Sequence, residues 1–160
     1  RVIGVFSADQ LPENFPFYPS GLIVNTQDHT LPGRHWLAFF KSDLKNIECF
    51  DSYGHKPSYY SDLFSKWLQK QTNTTLNWNN NQYQSDFSNV CGLYCLYFLR
   101  QRLLGFSMND IGKQFDISQK GENDRHIRRL FENVYPYCIK NERAYNQACV
   151  ERILYENRFQ

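Results

Sequence analysis

The chain has 160 residues, of which 41% are hydrophobic and 17% are aromatic, a composition that excludes an intrinsically disordered chain. This length can bury the core of one domain, and we predict a single domain over residues 1–160. The net charge of +2 is too small to indicate nucleic-acid binding on its own, and no apolar run has the length of a membrane span.

Three short apolar runs in the first third of the chain predict β-strands, at residues 21–26, 35–40 and 47–51. Residues 41–46 lie between the second and third runs and have the polar character of a turn, which predicts a hairpin. Aromatic and leucine residues then recur at helical spacing, and they predict a helix over residues 58–70.

The second half of the chain is predicted to be mainly helical. Residues 71–89 are rich in Asn, Gln, Thr and Ser, and only 74–78 within them resemble a strand. Residues 91–104 are apolar almost all round, which is typical of a helix in the centre of a fold. Ser107 can cap a short helix, and further helices are predicted at 122–134 and 141–157. The expected fold is α+β, with a small, mostly antiparallel sheet packed on a central helix and additional C-terminal helices.

Cys91 stands where the polar loop gives way to this apolar helix, so it occupies the first helical turn. A helix N-terminus and a nearby imidazolium both stabilise a thiolate, and a stabilised thiolate is a strong nucleophile. Gly92 leaves room beside it for a substrate backbone. The alternative is a cysteine that serves as a small apolar core residue. That alternative suits Cys95 better, because the sequence Ser-Asp-Phe-Ser-Asn closely precedes Cys91.

Three more polar residues are candidates for a catalytic site. His35 begins an apolar strand, whereas the remaining histidines lie in polar surroundings typical of the surface: His29, His55 and His126. Asp51 ends the following strand, and at the same sheet edge its carboxylate would orient the His35 imidazole. Gln84 lies seven residues before Cys91, where its amide could donate to an oxyanion together with the Cys91 N–H. Taken singly, each has a structural alternative: a core histidine, a turn-forming aspartate and a loop glutamine.

The five cysteines are odd in number and irregular in spacing, which is a poor framework for disulfides and predicts a reducing, intracellular setting. Cys91 and Cys95 are four residues apart, but no second closely spaced pair of cysteines or histidines completes a zinc site. We therefore predict no metal.

Together these residues resemble the adenovirus protease (adenain) family, within the wider fold shared with SUMO-specific proteases. The order His, acid, Gln, Cys, with Trp directly after His and Gly directly after Cys, is a specific signal. Asp51 followed by Ser52 is closer to the SUMO-protease version of the acid. The imperfect match suggests the Maverick/Polinton or related DNA-virus branch. The resembling blocks span most of the chain: 23–26, 33–39, 49–54, 84–95 and 127–137.

The resemblance implies a role for each candidate residue. Cys91 would be the nucleophile, His35 the general base, Asp51 the orienting acid and Gln84 the oxyanion-hole amide. Two neighbouring residues, Trp36 and Gly92, would line the substrate groove. The implied function is a cysteine endopeptidase that cleaves viral or transposon-encoded capsid or core precursor proteins during particle maturation, in an intracellular setting that includes the nucleus or the virion.

The sequence itself requires no cofactor, but the resemblance implies an activating peptide that adds a strand, and DNA. The cysteine that tethers this peptide in the family aligns with Asn73, which cannot form a disulfide. Weak DNA binding would use a group of arginines that are interleaved with acidic residues: Arg125, Arg128, Arg129, Arg143, Arg152 and Arg158. No membrane partner is expected. Two alternatives remain: a SUMO- or ubiquitin-like isopeptidase, and a catalytically silent module that binds peptides or DNA.

Overall fold

The computed structural model of the protein describes residues 1–132. Their strands are β1 (Val2–Ser7), β2 (Ser20–Asn25), β3 (Trp36–Lys41), β4 (Asn46–Phe50) and β5 (Thr75–Trp78). Their helices are a single 3-10 turn (Pro57–Tyr59), α1 (Asp62–Lys70), α2 (Cys91–Leu103), α3 (Met108–Gly112) and α4 (Lys120–Glu132). The prediction of an α+β fold is confirmed.

The five strands form one mixed sheet in the order β1-β2-β3-β4-β5. The central pairs β2–β3 and β3–β4 are antiparallel, and β3–β4 is the predicted hairpin. Both edge pairs are parallel, so the prediction of a mostly antiparallel sheet is wrong at the edges. The physical reason is the length of the connections. A parallel partner needs a crossover of about a dozen residues or more, and residues 8–19 and the α1 segment provide them. Strand β1 itself was not predicted.

Every residue of β2 and β3 is buried, because helices cover both faces of the sheet. Alternate residues such as Ile23 and Phe40 pack in one core cluster with α2, whereas Leu22 and Phe39 pack in the other. The second cluster includes Phe64 of α1. Burial on both faces explains why these strands read as continuous apolar runs rather than as alternating ones.

Helix α2 is the central helix that the sequence predicts, and it is buried continuously from Cys91 to Leu99. It lies so close to β2 that a Cβ added at Gly21 would be 2.5 Å from Leu99 Cδ2. At its far end, Arg102 Nε donates to Glu48 Oε2 of β4 at 2.6 Å. These contacts fix the position of α2 against the strands and therefore the position of its first residue.

The remaining helical predictions have mixed outcomes. The helix predicted over 58–70 is split, because the chain leaves the 3-10 turn before Ser61 caps the start of α1, and Tyr60 lies in neither. Ser107 caps α3, as predicted. Helix α4 begins at Lys120, two residues before its predicted start; its predicted end at 134 and the helix at 141–157 lie outside the described residues.

Within residues 1–132 no helix is long and apolar enough to cross a membrane. In the same part of the chain, no group of three or more His, Cys, Asp or Glu side chains is arranged to hold a metal ion.

Candidate active site

The β3–β4 hairpin brings His35 and Asp51 together. His35 directly precedes β3 and Asp51 directly follows β4, and the two strands are antiparallel, so both residues lie at the same end of the sheet. The His35 Nε2 is 2.6 Å from Asp51 Oδ1. Both side chains are buried, that of Asp51 completely. This ion pair is therefore shielded from water.

The Asp51 carboxylate accepts four hydrogen bonds. Oδ1 accepts from His35 Nε2 and from the Tyr53 N–H, the latter at 2.9 Å. Oδ2 accepts from the His55 N–H at 2.9 Å and from the Tyr60 hydroxyl at 2.7 Å. Burial alone would raise the pKa of this carboxyl, but His35 and the other donors hold it below its usual value. Asp51 is therefore ionised and fixed in orientation.

The backbone of Asp51 is held by a residue far along the chain. Asn79 Oδ1 accepts from the Asp51 N–H at 2.8 Å, and Asn79 Nδ2 donates to the Asp51 carbonyl at 2.6 Å. Gly54 allows the two loops to touch, because its φ is +78° and an added Cβ would lie 2.7 Å from the Asn81 backbone. The loop around Asn79 thus forms a support for the acid.

Cys91 is the first residue of α2, as the sequence predicts, and 8% of it is exposed. Its thiol is close enough to His35 for a side-chain hydrogen bond. One turn later, Cys95 Sγ contacts the Trp36 carbonyl at 3.4 Å, which fastens α2 to β3 directly beside His35. No backbone carbonyl within residues 1–132 accepts from the Cys91 N–H. The helix start therefore offers both a thiolate-stabilising field and a free donor.

The His35 ring lies between two acidic groups. Burial lowers its pKa, but hydrogen bonds and charges from Asp51 and Cys91 outweigh burial and raise the pKa to about 9. Because Nε2 faces Asp51, Nδ1 is the nitrogen left for Cys91. The rings of Tyr53 and Tyr60 pack on the imidazole with centroids 4.8 and 5.1 Å away. The site therefore favours a protonated His35 imidazole beside Cys91.

Gln84 is completely buried, and its amide has a fixed orientation. Its Nε2 donates to the Ser88 carbonyl at 2.7 Å, and its Oε1 accepts from Ser52 Oγ at 2.6 Å. An amide nitrogen carries two hydrogens, so one N–H of Gln84 remains beyond the bond to Ser88. Because Ser52 follows Asp51, adjacent residues hold the base and the amide.

A cleft of about 690 Å³ opens beside His35. Its walls include Arg34, Tyr53, Tyr60 and Asp86. The two residues expected to line the groove, Trp36 and Gly92, are not among its lining residues. Both are buried, the first in the core cluster around α2 and the second within the first turn of α2. Their assignment to the groove stays a prediction.

Four further residues at this site were not predicted: Ser52, His55, Tyr60 and Asn79. His55, which the sequence places on the surface, has its Nδ1 3.6 Å from Asp51 Oδ2, although its side chain is 42% exposed. Tyr60 counts as one of the apolar residues of a predicted helix, and Asn79 is one of three consecutive asparagines. Neither carries a local signal, because its partner is a side chain or a backbone elsewhere in the chain.

No family model matches the sequence. The chain is 32% identical over 95 residues to a cysteine protease of African swine fever virus, an alignment that covers 52% of this chain and 33% of that protein. It is 31% identical over 97 residues to a protein of Acanthamoeba polyphaga mimivirus that bears the name of a thiol protease, covering 56% of this chain and 32% of that protein. The chain thus spans about a third of the length of these curated relatives.

A crystal structure of the selenomethionine-labelled African swine fever virus protease superposes with a TM-score of 0.46 and 22% identity, covering 72% of this chain and 45% of that one. The sequence comparisons establish that the chain is similar to viral cysteine proteases. They do not bear on the Maverick/Polinton branch, which stays a prediction.

Proposed function

We propose that the chain is a cysteine endopeptidase in which Cys91 is the nucleophile and His35 its acid–base partner. The observation that carries the proposal is the continuous contact from the Cys91 thiol through His35 to the buried carboxylate of Asp51. Such a chain is what a thiolate–imidazolium pair needs to persist at neutral pH. The similarity to two viral proteins named as cysteine or thiol proteases supports the same reaction class.

In the proposed reaction the Cys91 thiolate attacks a peptide carbonyl carbon, and the carbonyl oxygen becomes an oxyanion. The N–H of Cys91 and the remaining N–H of Gln84 are assigned to that oxyanion. The His35 imidazolium then protonates the leaving amine as the C–N bond breaks, which leaves a thioester on Cys91. Neutral His35 next takes a proton from water, whose oxygen attacks the thioester; the C–S bond breaks, the carboxylic acid leaves, and the Cys91 thiolate and His35 imidazolium are restored.

For the substrates we propose viral or transposon-encoded capsid or core precursor proteins, cut near small residues such as Gly. This assignment rests on the resemblance to the adenain family. For the same reason we retain an activating peptide as part of the proposal. The position of β5 at an edge of the sheet supports it, since an edge strand can accept an added strand. DNA as a cofactor and a location in the nucleus or the virion are proposed on the resemblance alone.

The test is cleavage of a peptide library, analysed by mass spectrometry, by the wild-type chain and by two matched variants. Cys91→Ala should lower turnover by at least about 1,000-fold, because it removes the nucleophile. Cys95→Ser removes a thiol one turn further along the same helix, keeps a donor for the Trp36 carbonyl and should retain turnover. A folded Cys91→Ala protein with wild-type turnover would contradict the mechanism.

The same experiment separates the two alternatives. Reaction with a ubiquitin- or SUMO-based electrophilic probe, without cleavage of any peptide, would indicate an isopeptidase. Failure of iodoacetamide to modify Cys91 faster than a free thiol, together with no cleavage, would indicate a silent binding module.

A further inference from the structure

Helix α4 contributes a buried acid, Asp124, that faces the loop before the proposed nucleophile. Asp124 is only 5% exposed. Asp124 Oδ2 accepts from Ser85 twice, from Oγ at 2.7 Å and from the backbone N–H at 3.2 Å. Asp124 Oδ1 accepts from the Tyr94 hydroxyl at 3.0 Å. A single carboxylate therefore binds the residue that follows Gln84 and also a residue of α2.

The neighbouring residue on α4 reinforces this contact. Asn123 Nδ2 donates to the Tyr83 carbonyl at 3.1 Å and to the Asp116 carbonyl at 2.8 Å. The two residues on either side of Gln84, Tyr83 and Ser85, are thus both held by α4. The Gln84 side chain itself is held by Ser52 and Ser88, outside α4.

The second partner of Asp124 leads to Cys91. Tyr94 is completely buried and lies three residues after Cys91, in the first turns of α2. Burial and the neighbouring Asp124 charge raise the pKa of its phenol, so the hydroxyl stays a donor. Asp124 therefore bonds the residue adjacent to Gln84 and a residue three positions after Cys91. Gln84 and Cys91 supply the two donors assigned to the oxyanion.

We propose that Asp124 is a positioning residue that sets the separation between the Gln84 amide and the Cys91 N–H, so that α4 belongs to the machinery of transition-state stabilisation. This inference rests on the proposed function. It assigns Asp124 no contact with substrate. The alternative is that Asp124 only fastens α4 to the core, which would affect stability but not the reaction.

The two roles differ in what they do to the reactions of Cys91. Hydrolysis of a peptide develops an oxyanion, whereas alkylation of the thiolate by iodoacetamide does not. Asp124→Asn should therefore lower kcat for a cleaved peptide by about 10-fold or more, with KM little changed, and leave the alkylation rate of Cys91 near the wild-type value. Asp110→Asn is the matched control, because Asp110 is an exposed carboxylate on α3 whose side-chain bonds within residues 1–132 are to Ser107 and Lys113.

A double-mutant cycle gives the sharper test. If Asp124 acts through Gln84, Asp124→Asn should change kcat by less than about twofold in a Gln84→Ala background. If the double variant lowers kcat by the product of the two single factors, the inference is overturned. An equal loss of alkylation rate and turnover in Asp124→Asn would also overturn it. If Asp124→Asn does not fold, Ser85→Ala can replace it, since it removes only the hydroxyl bond to Asp124. It should lower kcat in the same way but by a smaller factor, and leave the alkylation rate of Cys91 unchanged.

Failure of this inference can be told apart from failure of the proposed function. An active wild-type chain that loses turnover in Gln84→Ala but not in Asp124→Asn overturns only the role of Asp124. A wild-type chain without Cys91-dependent cleavage overturns both.

Discussion

The raised pKa of His35 predicts a stability that depends on pH in a defined direction. The group titrates near 6.5 when unfolded and near 9 when folded, so the folded chain binds an extra proton between these values. Stability from this group is therefore complete below about pH 6.5 and is lost as the pH rises through about 9. At about 1.4 kcal/mol per pKa unit, the loss amounts to about 3 kcal/mol. The His35 side chain is only 7% exposed, so solvent screens its charge interactions little.

The measurement is urea unfolding of reduced protein from about pH 6 to about pH 9.5, followed by the fluorescence of the buried Trp36 and Trp67. The reference is His35→Gln, which can still donate to Asp51 but has no proton to release. His29, whose pKa a hydrogen bond to the Asp9 carboxylate also raises, titrates in both proteins and cancels in the difference. With Cys91→Ala in both proteins, so that no active-site thiol titrates in the same range, the difference between the two unfolding free energies should fall toward high pH by up to about 3 kcal/mol.

A flat difference between the two proteins, or a wild-type advantage that grows toward high pH, would refute the reasoning. Repeating the comparison with Cys91 present tests the proposed ion pair. The fall should then become smaller, because a folded thiolate has already released a proton, and the pair binds as many protons folded as unfolded near neutral pH.

Two substitutions test the support of the acid. Asp51→Asn should lower kcat/KM by at least about 100-fold, though less than Cys91→Ala does. The new amide can take two orientations, and in each its NH2 group points at a backbone N–H, either that of Tyr53 or that of His55. Steady-state kinetics measure this, and wild-type values would contradict it. Tyr60→Phe should lower the free energy of unfolding by about 2 kcal/mol, since it removes one hydrogen bond to a buried carboxylate. Urea unfolding measures this change against Tyr59→Phe, an exposed neighbour expected to match the wild type.

The parts of the fold that could be predicted are those with a local pattern. The runs that became β2 and β3 are apolar because helices cover both faces, and the apolar start of α2 placed Cys91 at a helix N-terminus. Strand β1 has an apolar run as well, residues 2–6, and the same criterion could have predicted it. The parallel edges depend on where a connection returns the chain, which no local window contains.

The site divides in the same way. The positions of His35 and Asp51 follow from the hairpin, whose register a sequence reader can infer. Asn79 acts on a backbone 28 residues away, and Asp124 acts on one 39 residues away. Each is a polar residue whose role is set by a partner distant in sequence, so neither the Asn-rich loop nor the charged helix α4 distinguishes it from its neighbours.

Asp51 and Ser52 are adjacent, yet one holds the imidazole and the other holds the Gln84 amide. Asp51 directly follows β4, and Ser52 lies in the turn that the Gly54 N–H closes on the Asp51 carbonyl. A slip of β4 by one residue against β3 would therefore displace both residues and break both contacts at once. The register of β4 therefore positions both the His35–Asp51 pair and the Gln84 amide. A chain with the wrong strand register forms neither of them, so the site assembles completely or not at all.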